Sequence, residues 1–155
     1  MSWIVTFVIF MAYHFRFESV LHYRRNLEEL SRQKLTMAQA QLEKLQSRLD
    51  ELEELLTQAL DAFEERKRQP ILAPLYIMLA EGIERREREV ANQHKAIAAQ
   101  YKVVEQSREE LIGRVRNRKV MEKAREKDYD NFLQEERRLA QNELDEQMVL
   151  RFKRH

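Results

Sequence analysis

The chain has 155 residues, of which 35% are Asp, Glu, Lys or Arg and only two are glycine, and its mean hydropathy is −0.70. This composition is typical of solvated helices and argues against a globule with a large buried core. The formal net charge of +1 provides no global field that would favour nucleic acid or an acidic substrate. The absence of cysteine excludes disulfides, Cys-ligated zinc and thiol chemistry, and is consistent with a reducing, cytosolic setting.

The chain opens with an apolar run from Trp3 to Met11, of sequence WIVTFVIFM. This run is well short of the roughly 20 residues that a helix needs to span a bilayer, and it lacks the basic flank and cleavage site of a secretory signal. We therefore interpret residues 1–12 as an apolar extension and expect translation to start at Met11. The alternative is a short anchor that dips into a membrane, since Trp, Phe and Ile favour bilayer interfaces.

Apolar residues at alternating steps of three and four predict a first long helix at about residues 17–67. The clearest part of this a/d seam comprises Leu42, Leu45, Leu49, Leu52, Leu56, Ala59 and Phe63. Upstream, the same spacing continues in another phase at Val20, Tyr23, Leu27 and Leu30. The pattern therefore predicts a slip of the stripe between Ser31 and Leu35, which would change the supercoil winding locally.

Pro70 and Pro74 interrupt the pattern once, which predicts a turn at about residues 68–74 and a second helix at about residues 75–150. One seam of this helix repeats every seven residues, at Ile83, Val90, Ile97, Val104 and Leu111. Its partner positions are predicted at Glu87, His94, Tyr101 and Arg108. Because polar seam residues give register at a cost in stability, the second helix is expected to depend on the first.

Two heptad patterns with one interruption predict an all-α fold: a long antiparallel two-helix coiled-coil hairpin that forms a single domain over residues 13–155. At 1.5 Å per residue the helices would measure about 75 Å and about 115 Å, so the second is expected to be the longer. The segment after about Arg125 would then extend past its partner helix. Tyr129, Phe132 and Leu139 would give that overhang an apolar edge, which we expect to be a contact surface.

No motif favours catalysis, because neither Gly82 nor Gly113 belongs to a phosphate-binding loop and no Ser or His lies in a nucleophile motif. We interpret the chain as a non-enzyme without a cofactor or a small-molecule substrate. His14, Glu18 and His22 would share one helical face, but the two histidines would be about 12 Å apart along the axis, too far for one metal ion.

Charge is distributed unevenly along the chain. Acidic residues between Glu43 and Glu65 collect towards the turn, whereas Arg and Lys residues between Arg108 and Lys127 collect towards the end that holds both termini. The simplest interpretation is solvated helix faces whose charges pair at helical spacing. A partner with an acidic lumen or groove is the alternative. Nucleic acid is not expected, since no aromatic stacking platform accompanies the basic residues.

Two short segments carry a resemblance that the heptad repeat alone does not. Residues 15–24 read FRFESVLHYR, and residues 138–151 read RLAQNELDEQMVLR around a Leu-Asp-Glu core. In order and spacing these segments resemble the two ends of flagellar FliJ proteins, so the resemblance spans residues 15–151. Met148 departs from the pattern, because the family tends to have a small residue there.

The resemblance implies a non-enzymatic component of the flagellar type III export apparatus, shaped like the stalk subunit of a rotary ATPase. Its implied partners are the flagellar export ATPase, a membrane export gate protein and export chaperones. Its implied location is cytoplasmic, peripherally associated with the inner membrane at the flagellar base. By position, the contact with the ATPase ring would comprise Phe17, Val20, Leu21, Arg138, Leu144, Asp145 and Glu146. The contact with the export gate would comprise Leu52, Leu55, Ala59, Leu75, Leu79 and Ile83.

Near the turn the sequence has more apolar surface than one partner helix can cover. Leu55 and Leu60 lie off the a/d seam, and Ile77 and Met78 widen the apolar stripe of the second helix. This favours a second contact near the turn. Three other functions stay open: a membrane-tethered coiled coil of the cell envelope, a general holdase-type chaperone, and a self-associating filament.

Overall fold

The computed structural model describes residues 13–152, with side chains described as far as residue 150. In this range two helices are joined by one short turn: α1 is Glu18–Lys67 and α2 is Ala73–Phe152. The predicted all-α fold of two long antiparallel helices, the second one longer, is confirmed. The apolar run from Trp3 to Met11 and the predicted start at Met11 lie outside the described residues. Neither described helix is long and apolar enough to cross a membrane.

The local sequence explains the turn between the helices. The backbone amides of Leu75 and Tyr76 both donate to the carbonyl of Leu72 over 3.0 Å, which closes the first turn of α2. Pro74 fits this turn because its missing N–H falls among the first amides of the helix, which have no acceptor inside the helix. At the other side, Arg66 and Lys67 place positive charge in the last turn of α1, where it interacts favourably with the helix dipole.

The chain divides into two compact units, each of which contains part of both helices. One comprises Met1–Glu29 and Gly113–His155 and is called the terminal unit; its described residues are 13–29 and 113–152. The other, Leu30–Ile112, contains the turn and is called the loop unit. The single domain over residues 13–155 stays a prediction.

An apolar seam on α1 holds the loop unit together. Ala38 and Leu52 are buried on α1, and Ile97 and Val104 are buried on α2. The other predicted seam residues of α1 are half-buried: Leu42, Leu45, Leu49, Leu56, Ala59 and Phe63. Since full burial of a Leu or Val side chain contributes about 1.5–3 kcal/mol, this seam is the main source of helix pairing in the unit.

Glutamines of α2 fix the register of the loop unit. The Nε2 atoms of Gln93 and Gln100 donate to the backbone carbonyls of Leu45 and Ala38 over 2.7 and 2.9 Å. The donors are seven residues apart in one direction and the acceptors seven in the other, as an antiparallel heptad register requires. Each bond satisfies a side-chain amide against a helix carbonyl, so these half-buried polar residues are tolerated in the seam.

The predicted partner positions of the α2 seam are wrong. Glu87, His94, Tyr101 and Arg108 are all exposed. The second row of seam residues lies three residues after Val90, Ile97 and Val104, rather than four, at Gln93, Gln100 and Ser107. The reason is hydrogen bonding, because the glutamine amides reach carbonyls of α1, whereas His94 lies on the surface 3.5 Å from the Glu53 carboxylate.

The α1 seam continues into the terminal unit without a slip. Leu21, which is fully buried, and Glu28, which is 6% exposed, continue the seven-residue spacing of Leu35 and Leu42. The predicted slip between Ser31 and Leu35 is therefore wrong, because Ser31 itself is buried in the continuing seam.

The other upstream stripe faces outward. Val20, Tyr23 and Leu30 are 38%, 62% and 61% exposed, and Leu27 is half-buried. The seam position in this stretch is occupied by Glu28, whose carboxylate accepts a hydrogen bond from Arg118 of α2. A charged seam residue with a partner on the facing helix is tolerated in place of an apolar one.

Candidate functional site

Tyr13 packs the start of the described chain against α2. Its ring lies edge-on to Tyr129, with centroids 4.9 Å apart, and 5.5 Å from the centroid of Phe132. Its hydroxyl lies 3.0 Å from Oδ2 of Asp128 and 3.2 Å from the carbonyl of Arg125. Tyr129 and Phe132, which the sequence placed on the apolar edge of the overhang, are therefore covered by Tyr13.

The environment of Tyr13 keeps its hydroxyl neutral. Burial raises the pKa of Tyr13 to about 12, and the hydrogen bond and negative charge of Asp128 act in the same direction. A neutral phenol has one proton to donate, and Oδ2 of Asp128, at 3.0 Å, is the nearer of the two acceptors, whereas a phenolate would face the Asp128 carboxylate without a proton between them. The hydroxyl of Tyr13 is therefore protonated over the physiological pH range and serves as a hydrogen-bond donor.

A charged network crosses the terminal unit. Arg118 donates to Glu28 on α1 and to Glu122 on its own helix, and Arg25 donates to Glu122 over 3.2 Å. The hydrogen bond to Glu28 raises the pKa of the Arg118 guanidinium, with the nearby carboxylates adding to the effect. Sequence reasoning missed this network, although Glu28 lies seven residues before Leu35 and so occupies a predictable seam position.

The α1 part of the predicted ATPase contact is divided between surface and core. Phe17 and Val20 are 47% and 38% exposed, and Phe17 packs edge-on against the buried Phe15 with ring centroids 5.9 Å apart. Leu21, by contrast, is fully buried. Leu21 is therefore a core residue beneath this surface, and its side chain is not accessible to a partner.

The α2 part of the predicted contact lies where α2 has no helical partner. All described side chains from residue 134 to residue 150 are exposed, and we call this stretch the free segment. Its large apolar side chains are 50–63% exposed, namely Leu139, Leu144, Met148, Val149 and Leu150. Arg138 donates to Glu135 over 2.9 Å, and Asp145 accepts from Gln141 over 3.0 Å, so these polar contacts stay within the helix.

The structure does not bring the two parts of the predicted ATPase contact together. Tyr13, which precedes α1, contacts α2 at Phe132. Leu144 lies 12 residues further along the same helix, which is about 18 Å at 1.5 Å per residue. The terminal unit therefore has two separate surfaces here. One contains Phe17 and Val20, and the other contains Leu144, Asp145 and Glu146.

Most of the residues predicted to contact the export gate meet in the loop unit. Ala59, Leu75, Leu79 and Ile83 line one open cavity of about 460 Å³, together with Met78. We call this cavity the loop groove. Outside it, Leu52 is buried in the helix seam and Leu55 is 46% exposed on α1. The six residues are therefore divided into four groove residues, one core residue and one separate surface residue.

Further apolar side chains surround the turn, as the sequence predicted. Ile77 and Met78 are 55% and 60% exposed, and Leu60 and Leu72 are 39% and 77% exposed. Tyr76 packs against Phe63 of α1 with ring centroids 5.3 Å apart. Apolar area of this kind, left uncovered next to a groove, is typical of protein-binding surfaces.

Many charged side chains pair within or between the helices. On α1, Arg48 and Lys67 contact Glu51 and Glu64 at three-residue spacing, over 2.7 and 2.6 Å. In the terminal unit Arg125 of α2 lies 3.5 Å from Glu18 of α1. These pairs support the interpretation of the charge blocks as solvated, paired helix faces.

His14, Glu18 and His22, the three residues considered as metal ligands, lie at or just before the start of α1. The imidazole of His22 lies 3.5 Å from the Glu18 carboxylate, which also contacts Arg125. Within the part of the chain that the structure describes, no three His, Asp or Glu side chains are grouped closely enough to hold a metal ion. The Glu18 carboxylate therefore contacts the His22 imidazole and forms an ion pair with Arg125.

The fold and these surfaces define a class of protein: a coiled-coil hairpin whose exposed apolar surfaces are suited to binding other proteins. The family model described as "Flagellar FliJ protein" matches residues 13–155. The chain therefore belongs to the flagellar FliJ family, a family of non-catalytic components of type III protein export.

A solved structure has the same fold. It is a protein described as a YscO homologue from Chlamydia trachomatis, with a TM-score of 0.57 and 20% sequence identity, and the match covers 92% of this chain and 97% of that one. At this identity the comparison supports the fold alone. No curated protein matches the sequence.

Proposed function

We propose that the terminal unit binds the ring of the flagellar export ATPase as a central stalk. Family membership associates the chain with the export apparatus. The single observation that supports the ATPase contact most directly is the free segment, in which α2 is helical but every described side chain from residue 134 onward is exposed. A helix that presents large apolar side chains without a partner is suited to insertion into a cavity of another protein.

A stalk made of preformed helix is suited to this task for two physical reasons. A helix that is ordered before binding loses little conformational entropy on binding, so more of its contact energy appears as affinity. The different side chains around one helix would also contact the identical subunits of a ring differently. Such a stalk would bias ring assembly or the order of ATP hydrolysis by contact alone.

The test is a titration of the full chain into the purified export ATPase of the same organism, with ring assembly followed by sedimentation and ATP hydrolysis followed in parallel. Saturable enhancement of assembly or turnover is expected. Leu144→Asp should weaken this effect at least tenfold, because it places a carboxylate on the apolar side of the free segment, where Leu144 is 58% exposed.

Met37→Asp is the matched control, because Met37 is an apolar residue of α1 that is 73% exposed in the loop unit. It should leave the titration unchanged. Absence of binding to a competent ATPase would reject the stalk proposal. Equal titration curves for wild type and Leu144→Asp would reject the free segment as its contact.

The same proposal assigns the loop groove to the export gate, with the surrounding apolar residues as a surface for export chaperones. The groove is lined mainly by small and branched apolar side chains, with Arg66 and Arg86 at its rim. It is therefore suited to an apolar side chain or short helix of a partner that also carries a carboxylate. Outside the groove, Leu55 is a neighbouring exposed residue, and Leu52 is a buried seam residue that supports the helix pair.

The gate assignment is tested by binding of the cytoplasmic part of the gate protein to Met78→Asp, with Leu55→Asp as a second variant. Met78 lines the groove and is 60% exposed, so the carboxylate should weaken binding at least tenfold while helicity by circular dichroism stays at the wild-type level. Unchanged affinity of a folded Met78→Asp chain would reject the groove. Loss with Leu55→Asp alone would move the contact to the outer face of α1.

These contacts would hold the protein on the cytoplasmic side of the inner membrane, at the flagellar base, through its partners. Fractionation checks this location: the chain should appear with membranes when gate and ATPase are present and leave them when both are removed. Membrane association that persists without those partners would favour the membrane-tethered alternative.

A further inference from the structure

The loop groove carries two guanidinium groups whose hydrogen-bond acceptors are neutral. Arg66 of α1 donates to the side-chain oxygen of Gln69 over 3.1 Å. Arg86 of α2 folds back along its helix and donates to the backbone carbonyl of Gly82 over 3.3 Å. Among the described residues, no carboxylate forms an ion pair with either guanidinium. The groove therefore keeps two uncompensated positive charges.

The bases next to the groove differ from these two arginines. Lys67 contacts Glu64 over 2.6 Å, and Arg68 contacts Glu65 over 2.7 Å. Of the three consecutive bases at this end of α1, only Arg66 lacks such a partner in the described part of the chain. A carboxylate brought by an occupant of the groove would replace a neutral acceptor by a charged one, which gives a stronger hydrogen bond.

The rest of the groove lining is apolar. All lining residues other than the two arginines are apolar or glycine, and the groove has a volume of about 460 Å³. A cavity with an apolar lining and two uncompensated cations is complementary to a short helical segment that carries apolar side chains next to Asp or Glu.

The last turns of the free segment have this chemistry. Asp145, Glu146, Val149 and Leu150 line one shallow surface cavity of about 390 Å³. Each acid lies four residues before an apolar residue, so both kinds of side chain share one helix face. Val149 and Leu150 are 53% and 62% exposed, so this face is free to contact another protein.

The two carboxylates of this face are also uncompensated. Asp145 accepts from the neutral amide of Gln141 over 3.0 Å. The positions three and four residues before and after Asp145 and Glu146 contain no Lys or Arg, so neither acid can form an ion pair at helical spacing. The free segment therefore carries the negative charges that the loop groove lacks.

We propose that the free segment of one copy of the chain occupies the loop groove of a second copy. Val149 and Leu150 lie against the apolar lining, and the carboxylates of Asp145 and Glu146 contact the two groove arginines. Both parts are helical before they meet, so the contact costs little conformational entropy. The contact is head-to-tail, which leaves one groove and one free segment available for further copies.

The consequence of this contact rests on the proposed function, although the contact itself does not. The free segment is the proposed surface for the export ATPase, and the loop groove is the proposed surface for the export gate. Self-association covers one surface of each kind, so it competes with both partners. The apolar surfaces are then covered until the ATPase or the gate displaces the second copy.

Sedimentation velocity of the full chain at increasing concentration tests the contact. The weight-average sedimentation coefficient of the wild type should rise with concentration, and high salt should reduce this rise, because salt screens exposed charges. Arg86→Glu, Glu146→Arg and Val149→Asp should each weaken the association at least tenfold. Arg85→Glu is the matched control, because Arg85 is exposed next to Arg86 but does not line the groove, and it should change nothing.

A mixture of two charge-reversed chains gives the sharpest test. Neither Arg86→Glu nor Glu146→Arg should associate alone, because each carries like charges on its groove and its free segment. An equal mixture should recover the association at least tenfold, since the groove of each variant is then complementary to the segment of the other. Circular dichroism checks that both variants keep the wild-type helicity, and Arg86→Gln serves if the charge reversal lowers it.

Three results would overturn the proposal. They are a wild type that stays monomeric at every concentration, a folded Arg86→Glu chain that associates like the wild type, and a mixture that remains monomeric. Association that Val149→Asp abolishes and Arg86→Glu leaves intact would assign the contact to two free segments and equally overturn it. The ATPase titration and the gate-binding test have their own readouts, so a wild type that binds those partners but stays monomeric refutes this inference alone.

Discussion

The two units use the same pair of helices but hold them together in different ways. The loop unit has an apolar seam, with Leu52, Ile97 and Val104 buried, and its polar seam residues bond to helix carbonyls. The seam of the terminal unit instead contains Glu28, buried and paired with Arg118. The heptad spacing therefore determines which positions are buried, while the residue types at those positions determine whether burial gives stability or specificity.

The different seams also leave different apolar surfaces exposed on the two units. In the terminal unit the seam contains the apolar Leu21 and the charged Glu28, while apolar residues such as Val20 and Tyr23 are exposed on its outer face. In the loop unit the seam takes up most leucines of α1, and the uncovered apolar residues collect around the turn. We therefore expect the loop unit to contribute most of the stability. We expect partners to bind at the terminal unit and around the turn.

The largest effect is expected from Leu52→Ala in the loop unit. Leu52 is 7% exposed, so truncation should lower the free energy of unfolding by about 3 kcal/mol through lost burial and a cavity. Urea unfolding followed by circular dichroism measures it. Leu55→Ala, three residues away and 46% exposed, is the control and should cost under about 1 kcal/mol. Equal costs for the two variants would contradict the role of the seam.

A smaller loss is expected from Glu28→Ala in the terminal unit. It removes one partner of Arg118, which keeps Glu122, so the expected cost is about 2 kcal/mol. The double variant Glu28→Leu with Arg118→Leu should recover most of this loss, since apolar residues can replace a buried ion pair. Glu51→Ala removes an exposed pair with Arg48 and should cost under about 0.5 kcal/mol. If the double variant does not recover stability, the ion-pair network contributes net stability that apolar residues cannot replace.

The smallest effect concerns Tyr13 and depends on pH. Tyr13→Phe removes hydroxyl contacts worth about 1 kcal/mol near neutral pH. Because the pKa of Tyr13 is raised from 10.0 to about 12 in the folded chain, the folded state holds this proton more tightly than the unfolded one. The contribution is therefore complete below pH 10 and is lost as the pH rises towards 12.

Unfolding of wild type and Tyr13→Phe at several pH values measures this dependence. The difference between the two chains should be constant up to about pH 10 and should shrink above it. A difference that grows with pH would mean that the phenolate, not the phenol, is the form stabilised by Asp128 and its surroundings.

The sequence predicted the helices and the α1 seam from Leu42 to Phe63 because those positions are apolar and repeat without interruption. It failed at Glu28 because the compensating partner, Arg118, lies 90 positions later along the chain. A local count of hydrophobic residues then selected Val20, Tyr23 and Leu30, which are exposed. On α2 the seven-residue repeat predicted His94 and Tyr101 as partner positions instead of Gln93 and Gln100, because the repeat contains no information about the carbonyl acceptors on α1.

The candidate surfaces were predictable to different extents. The free segment follows from the unequal helix lengths, but its start could not be predicted, because Tyr13 precedes α1 and still covers Tyr129 and Phe132. The loop groove was predicted through Ala59, Leu75, Leu79 and Ile83.

Hydrogen exchange of the full chain with and without the export ATPase tests the central proposal most directly. The amides of residues 134–150 are expected to exchange quickly in the free chain, because this helix has no tertiary partner, and to gain protection at least tenfold in the complex. Amides around Leu52 should not change. Binding without any gain of protection in residues 134–150, or with protection confined to the loop unit, would contradict the proposal that the free segment engages the ATPase ring.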